Sequence, residues 1–184
     1  GSRIALCISF FEFFGESAGP DFHDIFFESL IRQARHLSRS LPGAAHGVAL
    51  LKGIKGLLYA GLALEGQEGW IEQALQLFNQ EISRQVLRDG GHVSRSPAQH
   101  LEALRVFLDV RTALSAAGYP LPEPVQHAID GLAQALRFFR YGDGDLALFH
   151  GTQEGQKELL EALLSQAGIR GKGLYSLPCA GFEK

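Results

Sequence analysis

The sequence predicts an all-α protein made of up-and-down antiparallel helices. Three observations carry this. Seven stretches place apolar residues three and four positions apart, and almost none alternates with the period of a strand. The stretches begin on prolines or capping residues and stop on glycine-rich clusters. The connections between them are short, so neighbouring helices should run antiparallel.

The first predicted helix covers residues 3–14 and stops at Gly15; Gly1-Ser2 reads as a cloning scar and is left out of it. The second runs over 20–40. Pro20 suits a first turn, Asp21 and Asp24 suit the positive end of the helix dipole, and "LPG" stops it. The third, 46–64, is apolar on two lines of its surface and should be buried around most of its circumference. Gly53, Gly56 and Gly61 weaken it as an isolated helix, and close packing is the expected compensation. The fourth, 68–87, carries Ile71, Leu75, Phe78, Ile82 and Val86 and ends at "DGGHVSRS". The fifth opens on Ser96-Pro97, an N-cap followed by a first-turn proline, and runs to "AAGYPLP". The sixth, from 122–124 to 140, is broken by "YGDGDLALFHG", in which "DLALF" is a candidate extended piece. The seventh covers 153–167. Residues 169–184 read as an irregular tail.

Composition narrows the function classes. The chain has 184 residues, 46% of them hydrophobic and 20% charged, with a net charge of −3 and no long run of one sign. A dedicated nucleic-acid binder would show a basic excess, so none is expected. "IALCISFFEFF" is too short for a membrane span and carries Glu12. Cys7 and Cys179 make neither a disulfide framework nor a zinc spacing. Asp143 and Asp145 in "GDGD" lack the EF-hand spacing and read as turn formers. No metal and no cofactor is expected.

If the helices alternate in direction, the loops fall on two ends. One end takes "GESAGP", "EGQEG" and "AAGYPLPEP", with no histidine and no arginine. The other takes "LPGAAHG", "DGGHVSRSP" and "YGDGDLALFHGTQ". It thus receives His46, His92, His100, His150, Arg95, Tyr141, Asp143 and Asp145. The helix dipole accounts for arginines at helix ends but not for the histidines. Loops on rigid supports commonly carry function, and this end is the candidate.

The segments "RQARHLSRSLPG", "LKGIKGLLYAGLAL", "QVLRDGGHVSRSPAQHLEALRVFLDVRTAL" and "IDGLAQALRFFRYGDGDLALFHGTQEG" resemble the helical domain of bacterial heparinase II/III-like proteins. The resemblance covers nearly the whole chain, and "DGGHVSRSP" and "GDGDLALFHG" are its specific parts. It implies an incomplete α/α toroid over residues 3–168, with the tail leading to a β-sandwich domain that is absent here. It also implies cleavage of an acidic, uronic-acid-containing polysaccharide by β-elimination, and leaves the compartment, periplasm or cytoplasm, open. That chemistry needs a base beside the uronate carboxylate, donors for the charge that builds there, and an acid for the leaving oxygen.

The better-known lyases resemble a loop pattern that runs Asp-Gly, three residues, Glu, any residue, Ser, two residues, Tyr-His. Here Asp89, Gly90, Ser96 and His100 match, whereas Ser94 stands for the glutamate and Gln99 for the tyrosine. The tyrosine is the expected acid/base, so another group substitutes or the branch does different chemistry. The catalytic candidates are His92, His100 and Tyr141, with His150 a further substitute. The substrate-binding candidates are Arg95, whose fork matches a carboxylate, together with Gln99, His150 and Gln153. His100 is equally compatible with a structural role. The alternative to a lyase is a non-catalytic helical domain that binds glycan or protein, and the isolated helical part is expected to be inactive.

Overall fold

The computed structural model describes residues 1–15, 17–43, 45–168 and 174–183. They form α1 (Ser2–Ser9), α2 (Phe11–Gly15), α3 (Pro20–Ser40), α4 (Gly47–Ala63), α5 (Glu68–Gln85), α6 (Pro97–Ala116), α7 (Glu123–Phe138) and α8 (Lys157–Ala167). A two-stranded sheet, β1 (Ser176–Leu177) and β2 (Phe182–Glu183), follows. The chain divides into two compact units, Gly1–Phe78 and Asn79–Lys184, and α5 contributes to both.

In the first unit the predicted opening helix is two. The chain turns at Phe10, and this sends the Phe11 ring onto α3. It stacks on Phe26 at 5.1 Å and lies 4.9 Å from Phe27. Such pairs add about 1 kcal/mol each to simple burial. α3 has the predicted bounds, with Pro20 in its first turn. α4 is buried along most of its surface, including Leu51, Ile54, Leu57 and Leu58. Gly56 and Gly61 sit where other backbone comes close, and Gly53 faces the Leu41 side chain. At Gly61 a Cβ would lie 2.9 Å from the Ile71 backbone nitrogen, so α5 crosses α4 at van der Waals distance there.

In the second unit α6, α7 and α8 pack on one another. Their core holds Leu104, Phe107, Leu108, Ile129, Leu132 and Leu136, all buried. Ser96 caps α6 as predicted, accepting the Gln99 N–H. The segment after α7 does contain an extended piece. Arg140 and Leu146 form an antiparallel bridge, and Ala147 N–H donates to the Phe139 carbonyl. Asp143 and Asp145 shape that turn, since Asp143 Oδ1 accepts the Asp145 N–H.

α5 and α7 each end two residues before the predicted bound, and two larger differences follow. α8 starts at Lys157 rather than 153, because Gly155 has φ +85° and the Asp145 carboxylate takes the Gly155 and Gln156 N–H groups. The tail, read as irregular, forms the β1–β2 hairpin in its described part, while residues 169–173 lie outside the described residues. The cause is a hydrophobic contact that local patterning does not announce. Phe182 packs on Phe139 at 5.2 Å and on Phe149 at 5.3 Å. Among the described residues, no helix is long and apolar enough to cross a membrane.

Candidate functional site

The loop between α5 and α6 is a tight reversal. Leu87 N–H donates to Gly91 O, Gly90 N–H to Leu87 O, and Val93 N–H to Gln85 O. Asp89 fixes the turn through Oδ1, which accepts the Gly91 N–H, and reaches the hairpin through Oδ2, which accepts the Ala180 N–H. Gly90 lies directly on the backbone of α7 at Gly131.

This packing turns His92 inward, leaving it 2% exposed. Its Nδ1 accepts from the Ser94 N–H (3.2 Å) and from the Ser94 hydroxyl (2.8 Å). Nε2 therefore carries the proton and donates to Gln85 Oε1 at 3.2 Å. The chain of bonds continues inside α5. Gln85 Nε2 donates to Glu81 Oε2 at 2.6 Å, and Arg84 pairs with Glu81 Oε1 at 2.9 Å. His100, 1% exposed, is anchored in the same way. Its Nδ1 accepts the His92 backbone N–H at 3.3 Å, and Nε2 donates to the Leu132 carbonyl at 2.7 Å.

Burial pushes the pKa of His92 down to about 4. Burial does the same to His100, also to about 4; His92 lowers it further, while the Leu132 bond and the Asp89 charge oppose the shift. Both rings are neutral at pH 7. Each has its two nitrogens occupied within the protein, so neither presents a lone pair or an N–H to solvent.

The other loop candidates, Arg95, Gln99, His150 and Gln153, are exposed. They come from two segments 54 residues apart that are stitched together. Ser96 Oγ donates to His150 O at 2.8 Å, and Ala98 N–H donates to Thr152 Oγ1 at 3.1 Å. Among the described residues the non-glycine positions with positive φ are Arg95 (+54°) and His150 (+47°), one on each segment. Side-chain-bearing residues rarely hold that conformation, and where they do it commonly marks a functional segment.

Ser96 joins the two segments while it caps α6. Ser96→Ala should therefore cost about 2 kcal/mol, summing a lost cap and a lost hydrogen bond. Amide exchange at residues 149–152 should accelerate; unchanged protection there would show that the stitch does not order the loop.

The expected proton-transfer group of His92, His100 and Tyr141 is thus not one cluster. The histidines are buried because the Asp89–Gly91 turn is pressed onto α7. Tyr141 is exposed and borders a separate cationic concavity with Arg137, Arg140 and Lys157. Of the residues predicted to share one loop end, those of the loops after α5 and α7 do meet; His46 belongs to the first unit. Glu81 and Gln85 went unread in the sequence. Their signal was positional: with Phe78 they sit at i, i+3 and i+7, on the stripe that core residues use.

A family model for the heparinase II/III N-terminus matches residues 1–167. FtsZ-localized protein C of Caulobacter vibrioides (strain NA1000 / CB15N) is 34% identical over 171 residues, 92% of this chain and 29% of that protein. The crystal structure of heparinase III superposes with a TM-score of 0.70 at 22% identity, over 77% of this chain and 22% of that one. The heparinase III-BT4657 gene product gives 0.69 at 18% identity, over 95% and 32%. The chain spans less than a third of the length of each of these relatives. The structural likenesses establish the fold class, that of the heparinase III helical toroid. With the family model matched over all eight helices, the chain belongs to the heparinase II/III N-terminal domain family.

Proposed function

We propose that residues 3–168 are the polysaccharide-holding helical part of a heparinase II/III-like lyase, completed in a longer protein by a β-sandwich domain. The observation that carries this reading is the stitched face. Two segments, each holding a polar residue at positive φ, are bonded to one another, and this supports a shared binding surface for the exposed Arg95, Gln99, His150 and Gln153. Arg95 offers a planar fork to a uronate carboxylate, and Gln99 and Gln153 offer amides to sugar hydroxyls. In β-elimination a base removes the proton at C5, the C4–O bond breaks, a C4–C5 double bond forms, and the departing oxygen takes a proton. His150 is the exposed titratable group on this face that suits proton transfer. In this reading His92 and His100 hold the loop in shape rather than move protons.

A second reading, binding without cleavage, has its own support. Gln99 stands where the lyase pattern has tyrosine, and both loop histidines are locked inside. FtsZ-localized protein C is also named for where it goes rather than for a cleavage.

Calorimetry with polygalacturonate and other uronate polymers tests the shared part. Arg95→Ala should weaken binding about tenfold, the loss of one charge-assisted contact. Unchanged affinity would remove Arg95 from the surface. Absorbance of the unsaturated product, followed in the longer protein that the lyase reading requires, separates the two. Turnover that His150→Ala abolishes supports the lyase, and binding with no absorbance from any uronate polymer supports the second reading.

A further inference from the structure

The stitched face does not account for the cationic concavity beyond the end of α7. Arg137, Arg140, Tyr141, Asp143, Gly144 and Lys157 border a cavity of about 510 Å³. Three cations and one carboxylate leave this lining with a charge of +2. We propose that it is an oxyanion-binding site, taking one carboxylate, sulfate or phosphate group of a ligand.

The helix dipole explains part of the cluster. Arg137 stands in the last turn of α7, where a cation is favoured. Lys157 is the opposite case. It is the first residue of α8, at the positive end of that dipole, where an ammonium group is disfavoured. It lines the same concavity as Arg137 and Arg140, so an anion held there would meet three cationic side chains.

The nearby acids are already engaged. Glu161 takes Arg140 Nη2 at 2.7 Å. Asp145 accepts the N–H groups of Leu146, Gly155 and Gln156, and these bonds hold its carboxyl below the usual carboxylate range; Lys157 adds to that effect from a distance. Asp143 accepts the Asp145 N–H. No hydrogen bond or ion pair among the described residues engages the Arg137 guanidinium, which is half-buried. The Tyr141 phenol is exposed at the rim and can donate to the same anion.

Gly144 lets two of the cations approach the turn. It has φ +94°, and a Cβ there would lie 2.9 Å from Lys157 Cε and 3.2 Å from Arg140 Nη2. Arg140 Nε also donates to the Gly144 carbonyl at 3.4 Å. The glycine therefore lets the ammonium stem and the guanidinium close over one turn.

This assignment is independent of the stitched face, and the test keeps the two apart. The side-chain Nε–Hε resonance of Arg137 is followed by NMR while sodium sulfate, sodium phosphate or trigalacturonate is added at constant ionic strength, with sodium chloride as the control. Saturable shifts with at least one oxyanion, and none with chloride, are expected. Arg137→Gln or Lys157→Gln, both at solvent-accessible positions, should each weaken the interaction, followed at the Tyr141 ring, about tenfold. Arg95→Ala should leave it unchanged. Tighter binding of trigalacturonate than of the inorganic ions identifies a sugar acid as the source, and the reverse order identifies a free or phosphorylated ligand. Shifts that match chloride, or affinities unaltered in both variants, overturn the site. Loss of uronate binding on Arg95→Ala with no response at Arg137 overturns it as well and leaves the proposed function standing.

Discussion

Gly90→Ala is expected to cost roughly 4 kcal/mol of folding stability. Two terms combine. Gly90 has φ +82°, where a Cβ costs about 1–2 kcal/mol. That Cβ would also lie 2.2 Å from the Gly131 oxygen and 2.5 Å from its carbonyl carbon. Those atoms belong to the backbone of α7 and cannot rotate aside, so overpacking adds about 1–3 kcal/mol. Gly118→Ala separates the terms, since Gly118 has φ +71° and open space around it. It should lose only the conformational part. Urea denaturation of the two variants makes the comparison, and equal losses would mean that the close approach to Gly131 contributes nothing.

Acid should destabilise the fold well above the range where carboxylates titrate. The folded chain keeps His92 and His100 neutral down to about pH 4, whereas an unfolded histidine takes its proton near pH 6.5. Between those values the unfolded state binds more protons. The stability held above pH 6.5 is therefore lost as pH falls. Two such groups predict a loss of about 4 kcal/mol between pH 7 and pH 5. Denaturation midpoints across this window measure it. A flat profile would mean that the two imidazoles charge freely in the native state, contrary to their burial.

These two predictions concern features that the sequence exposed to different degrees. Helices were legible because their signals are local: Pro20, the Ser96-Pro97 start and the "LPG" stop each act within one turn. The break at Phe10 and the late start of α8 were not, because distant partners cause them. The Phe26 and Phe27 rings draw Phe11 aside, and the Asp145 carboxylate takes the amides that would otherwise extend α8. The site divides similarly. The meeting of the 89–100 and 141–153 segments followed from helix direction and connection length. Which histidines face outward did not, because it depends on the Gly90–Gly131 contact and on the Leu132 carbonyl in mid-helix. Spacing along the chain placed His92 and His150 at one end without distinguishing a buried ring from an exposed one.

Asp89 has a consequence beyond shaping its turn. Its two oxygens bind amides 89 positions apart, one in its own loop and one in the closing hairpin. Opening either partner strands half of a carboxylate that the other still holds, so the two segments fluctuate together rather than singly. A motion beginning in the hairpin is thereby felt at the turn that precedes Arg95, so the closing strands and the candidate loop share one mechanical unit.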